Sequence, residues 1–278
     1  MSEFIQSFYL FFKKSRAFIR KDFLGNISYK LDFVTQWAGV FVAIFTFYYL
    51  SKIIGKQASG YLAEYGGDYF PFVLVGIAVR NYIGTSLTIF SSKIAKEQIW
   101  GTLEVMLTTP TKLFTILVSL SLYDFILDSV NVFLYVFIGV VFLGINFSSA
   151  HLFAVAVILI LTIISFSCFG IISASFTMVF KRGDPVLWLM SGLATFFGGV
   201  LFPVSVLPKY LQVISYSIPI TYSLRALRFA LLKGYSWDML SGDIIVLLGF
   251  CLVLLPISMI VFRWALIRAK ARGTLAFY

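Results

Sequence analysis

The chain has 278 residues, 60% of them hydrophobic and only 12% charged, with a formal net charge of +10 and a mean hydropathy of +0.96. Soluble domains of this size carry about a quarter charged residues, so a water-covered globular surface is excluded and lipid must be the main solvent. The basic excess then points to membrane topology and anionic headgroups, and not to nucleic acid.

The whole chain, 1–278, reads as one all-α transmembrane domain. Its first 30 residues mix Phe4, Phe8, Phe11, Phe12, Phe18 and Ile19 with Lys13, Lys14, Arg16, Arg20 and Lys21. No small-residue cleavage site follows a short apolar core, so a cleavable signal is not expected. The pattern predicts an amphipathic helix on the inner leaflet, either as a plain anchor or in contact with a cytosolic partner.

Six apolar runs follow: Phe33 to Ile54, Tyr69 to Phe90, Leu113 to Ile145, Leu152 to Phe180, Pro185 to Val206 and Ile244 to Phe262. About 20 helical residues cross a bilayer, and unsatisfied backbone in lipid forces each run to be a helix. Spans one and two thus occupy 31–91, spans three to five 113–206, and span six with a basic tail 244–278. The third and fourth runs exceed one crossing, and Gly170 with Ser165, Ser167 and Ser173 predicts a bend in the fourth.

Six crossings put both termini on one side. Fifteen of the 22 basic residues fall in the N-terminal arm, the even loops and the tail, against six on the opposite face. Both termini and the segment 92–112 are therefore expected in the cytoplasm.

That segment contains "KEQIWGTLEVMLTTP", Lys96 to Pro110. Ile99, Leu103 and Met106 share one helical face, while Lys96, Glu97, Glu104 and Thr108 are polar. A short stiff helix is expected, interrupted near Gly101, with Thr109 and Pro110 opening the next helix. An ordinary inter-helix loop is the plainer reading.

Arg80 stands within the second run, and Asp124, Asp128 and Asn131 share a face of the third with Ser121. Charges at that depth must face the bundle or a water-filled cavity. An Arg80–Asp124 or Arg80–Asp128 pair, a cavity lining and, third, direct substrate contact are the readings this allows. The Asp-x-x-x-Asp spacing also admits a second class, a lipid phosphotransferase or prenyltransferase holding Mg²⁺ against a diphosphate. Further acids at that depth are lacking in the other spans. A non-transporting structural subunit is the third class. Cys168 and Cys251 read as core residues, His151 as an outward-loop residue, and no metal site is expected.

The run "EQIWGTLEVMLTTP" resembles the first cytoplasmic loop of type-two ATP-binding-cassette exporter permeases. A second stretch, "GGVLFPVSVLPKYLQVISYSIPITYSLRALRFALLKG" from Gly198 to Gly234, is similar to that family's fifth helix and extracellular re-entrant hairpin. Pro203, Pro208 and Pro219 fall in the expected order, with Arg225 and Arg228 on the amphipathic arm of the outward segment 207–243. The resemblance implies a coupling helix docked on an ATPase through Glu97, Gly101, Thr102, Leu103, Glu104 and Pro110. It also implies a partner ATPase that binds ATP and Mg²⁺, because no G-x-x-x-x-G-K-[ST] loop occurs here. A homodimer, or a heterodimer with a similar permease, is the implied assembly. Export of an amphipathic or lipid-linked substrate (a drug, glycolipid or polysaccharide) across a prokaryotic plasma membrane is the implied role.

Overall fold

Apolar runs this long cannot leave backbone groups unpaired in lipid, and helices make up most of each. The computed structural model describes residues 2–27, 30–181 and 184–272. Its helices are α1 (Ser2–Ile27), α2 (Lys30–Ala58), α3 (Tyr69–Ile99), α4 (Thr102–Thr108), α5 (Leu113–Val141), α6 (Leu152–Phe180), α7 (Pro185–Phe197), α8 (Lys209–Tyr216), α9 (Pro219–Arg228) and α10 (Trp237–Ala271). A π-turn, Phe229–Lys233, closes α9. The expected side chains of Phe4, Phe8 and Lys30, and the residue Arg182, lie outside the described residues.

Helices α3 and α6 form the centre, with α5 against α3 and α10 against α6. Their close approach rests on glycine. A Cβ on Gly170 of α6 would stand 2.1 Å from the Ser86 carbonyl oxygen of α3, so only hydrogen fits there. Gly170, expected as a place for α6 to bend, lies inside one continuous helix and serves its packing on α3. Ser165 contacts Cys251, and Ser175 bonds back to the Ile171 carbonyl at 2.7 Å.

Three apolar clusters fill the bundle. One joins α3, α6, α9 and α10 through Leu87, Phe166, Leu224 and Leu247. Another joins α2, α3 and α5 through Ile44, Phe72 and Ile138. The third gathers Ile94, Leu103, Leu117, Met178, Phe262 and Ala269. That third cluster places the C-terminal ends of α3, α6 and α10 together with α4 and the start of α5. Helix α1 lies along α5 at the same end, with Lys14 bonding Thr111 at 2.8 Å and Ser15 bonding Ser119 at 2.9 Å. The N-terminal helix and the end of α10 therefore share one end of the bundle.

Five helices among the described residues are long and apolar enough to cross a bilayer: those containing 34–55, 69–99, 113–141, 152–180 and 237–271. The fifth expected run differs. Helix α7 stops at Phe197 after 13 residues, about 20 Å of rise, short of a ~30 Å core. Gly198 and Gly199 end it, because Gly199 has φ +77° and a Cβ on Gly198 would meet Ile220 at 2.6 Å. The chain returns from the α4 end to the far end of the bundle through α7, a turn holding one 3-10 turn at Val204–Val206, and the paired short helices α8 and α9.

Other boundaries shift too. Helix α3 continues to Ile99, so Lys96 and Glu97 belong to its last turns. Pro110 lies outside any helix, and α5 opens at Leu113 without it. Thr109 instead closes α4, its hydroxyl bonding the Met106 carbonyl at 2.7 Å. Helix α10 begins at Trp237, which brings Asp243 inside it.

Candidate functional site

A two-residue corner joins α3 to α4. Trp100 ends α3, and Gly101 turns the path with φ +69°, a left-handed value that glycine adopts without strain. The corner divides the expected docking residues into two sets. Gly101, Thr102, Glu104 and Pro110 are exposed. Glu97 and Leu103 are buried, at 2% and 3% exposure, which corrects their expected place on a partner-facing surface.

The reason is visible in their partners. The Glu97 carboxylate accepts an ion pair from Lys21 of α1 and a hydrogen bond from the Thr102 hydroxyl. Lys21 also sits 5.4 Å above the Trp100 ring. Leu103 is enclosed by the third apolar cluster. The outer surface of the corner is instead Ile99, Trp100 and Val105, all more than 60% exposed.

A second ionic group lies one turn inward. Lys93 of α3 holds Asp22 of α1 at 2.5 Å and Asp124 of α5 at 3.1 Å. Sequence reasoning missed this bridge. Asp22 was its signal, as the single acid among the bases of 13–30. The expected Arg80–Asp124 or Arg80–Asp128 pair is corrected, because Arg80 lies on the opposite, exposed face of α3. The Tyr82–Ser129 bond of 2.9 Å sets the register, and at that level the face turned to α5 carries Tyr82 and Thr85. Asp128 is buried beside Thr85, its Oδ2 enclosed without a hydrogen-bond partner among the described residues. Ser121 and Asn131 are also buried on this face of α5. The Asp-x-x-x-Asp pair is not a bare carboxylate pair, because the Lys93 ammonium occupies the space beside Asp124 where a cation would bind.

At the far end the two arginines of α9 do different work. Arg225 forms a forked ion pair with Asp243 of α10, Nε lying 3.1 Å from both carboxylate oxygens, and that hydrogen bonding pushes its pKa up. Arg228 is 2% exposed and donates to three carbonyls: Phe72 at 3.1 Å, Gly199 at 2.8 Å and Val200 at 2.9 Å. Its guanidinium lies 3.3 Å from the Phe72 ring centre. Burial pulls its pKa down, and the carbonyls and ring face offset that loss of water. Pro203 and Pro208 bound the turn that carries Val204–Val206, and Pro219 opens α9 as its first residue. His151 caps α6, its Nδ1 accepting from the Ala154 N–H.

Together these contacts make an all-helical membrane bundle. One end carries an exposed, rigidly backed corner, and the other is closed by short helices tied to α3, α7 and α10. A comparison with curated proteins finds no significant match. A family model of the ABC-2 type transporter matches residues 15–232, from the basic arm of α1 to the π-turn after α9. The chain belongs to that family and is a transmembrane permease subunit of an ABC transporter.

Proposed function

We propose that this chain is the permease of an ATP-driven exporter and that the α3–α4 corner is where its ATPase docks. The carrying observation is the combination of an exposed Trp100–Val105 surface with a backing of Glu97, Leu103 and Lys21. A surface that transmits a push needs apolar exposure on its outside and fixed partners on its inside. Exposed Glu104 supplies a charge that can fix register against a basic partner. Family membership implies an ABC ATPase as that partner, which carries the ATP and Mg²⁺.

Two copies of this chain, or one copy with a similar permease, make the full unit in a prokaryotic plasma membrane. Both termini lie in the cytoplasm, a reading supported by the basic excess at the end that carries α1, α4 and the end of α10. Substrates are amphipathic or lipid-linked molecules leaving the cytoplasm or inner leaflet. The test is co-reconstitution with the partner ATPase in vesicles. Outward movement of a labelled amphipath that needs ATP, and is lost with Val105→Asp, supports the reading. Inward movement, or ATP hydrolysis indifferent to the permease, sinks it.

A further inference from the structure

A helix facing lipid shows lipid-like side chains on its exposed face, as α2, α5 and α10 do here. Helix α10 exposes Ile245, Leu252, Ile257 and Ile260, and α5 exposes Ile126, Phe133 and Phe137. Helix α3 does not. From Tyr69 to Lys96 its exposed positions are Arg80, Gly84, Thr88, Ser92 and Lys96, spaced four apart on one stripe. Thr88 and Ser92 return their hydroxyls to the Gly84 and Ile89 carbonyls at 2.9 and 3.1 Å. The uncompensated charge on the stripe within the membrane is therefore Arg80, 11 residues from the outer end of α3, or ~16 Å deep.

Among the described residues Arg80 has no ionic partner, and an arginine facing hydrocarbon at that depth is strongly disfavoured. Among the described residues, a second copy of this chain brings no carboxylate to neutralise it. Of the 12 acids, Asp124 is held by Lys93, and Asp128 is buried between α3 and α5. Of those whose side chains are described, Asp22, Glu97, Glu104 and Asp184 belong to the end carrying α4, and Glu64, Asp68, Asp238 and Asp243 to the other. The described residues of this chain therefore supply no countercharge to Arg80.

We propose that the Arg80–Lys96 stripe lines the substrate path and that Arg80 selects amphipaths with an anionic head, a phosphate or carboxylate. Lys96 attracts the head at the α4 end, the hydroxyls of Ser92 and Thr88 and the bare Gly84 leave a polar track, and Arg80 receives the charge at depth. This rests on the exporter reading and adds a substrate class to it.

The test uses the permease–ATPase complex in phosphatidylcholine vesicles, so that no bystander lipid is anionic. The probes are fluorescent lysophosphatidic acid and lysophosphatidylcholine with the same acyl chain. Binding and ATP-driven outward movement are both followed. Wild type should prefer the anionic probe about tenfold, a difference of about 1.4 kcal/mol. Arg80→Gln should remove the preference and Arg80→Lys should keep it. Ser92→Asp, remote from Arg80, should weaken the preference as an independent check. A wild type blind to headgroup charge, or an Arg80→Gln protein as selective as wild type, overturns the proposal. Charge-selective binding without ATP-driven movement would sink the exporter reading and leave the stripe standing. Movement that ignores charge would do the reverse.

Discussion

The Lys93 ammonium on α3 is shared between Asp124 on α5, at 3.1 Å, and Asp22 on α1, at 2.5 Å. One side chain thus ties α1 to both α3 and α5. Removing it leaves two carboxylates near one another and largely out of water. Lys93→Met should therefore cost about 3 kcal/mol, more than the double change Lys93→Met with Asp124→Asn, which removes charge of both signs. Thermal unfolding in detergent checks the order. A double variant less stable than Lys93→Met would contradict the shared-lysine account.

The corner makes a second, opposed pair of outcomes. Val105 is 64% exposed and Leu103 only 3%. Val105→Asp should leave the melting temperature of the permease within a degree or two while abolishing capture of the ATPase subunit. Leu103→Asp should lower the melting temperature sharply, because it puts a carboxylate into the cluster of Ile94, Leu117 and Met178. Co-purification together with thermal unfolding separates the two. If Leu103→Asp is stable yet loses the ATPase, the corner is oriented the other way.

Apolar length was readable to the residue where the chain simply crosses, as in α6, whose expected and observed spans coincide at 152–180. It was misleading at α7, because composition stays apolar past Phe197 while Gly198 and Gly199 break the backbone and let Ile220 pack in. Periodicity predicted one helical face for Ile99, Leu103 and Met106, but the turn at Gly101 leaves Ile99 exposed at the end of α3 and Leu103 buried in α4. It could not say whether that face meets a partner or the protein's own core, since both surfaces are apolar. Intramembrane charges were found, but their pairing depends on rotation about the helix axis. That rotation puts Lys93 toward α5 and Arg80 away from it.

At the opposite end, Arg225 and Arg228 should respond differently to change. Arg225→Glu sets two carboxylates together and should loosen α9 from α10, and adding Asp243→Arg should restore most of the loss by reversing the pair. Arg228 has no such rescue, because its three acceptors are backbone carbonyls at fixed places. Arg228→Lys should cost about 2 kcal/mol, since one ammonium cannot match the guanidinium fork, and Arg228→Ala should cost more. Limited proteolysis within 198–208 reports the loosening. A charge swap at 225 and 243 that recovers nothing would show that their ion pair is not what holds α9.

Two glycines test the helix packing directly. A methyl at Gly170 would lie 2.1 Å from the Ser86 carbonyl oxygen and 3.1 Å from the Phe90 ring, so α3 and α6 must separate to admit it. Backbone is the nearer obstacle, and it cannot rotate aside as a side chain can. Gly170→Ala should destabilise by about 3 kcal/mol or prevent folding. Gly84, on the exposed stripe of α3, has nothing within 4 Å of its added Cβ. Gly84→Ala should be neutral or stabilising by up to about 1 kcal/mol, because alanine is the better helix former. The pair shares one chemical change, so propensity alone would move both upward. Opposite signs in thermal unfolding isolate the α3–α6 contact as the cause, and equal signs would disprove it.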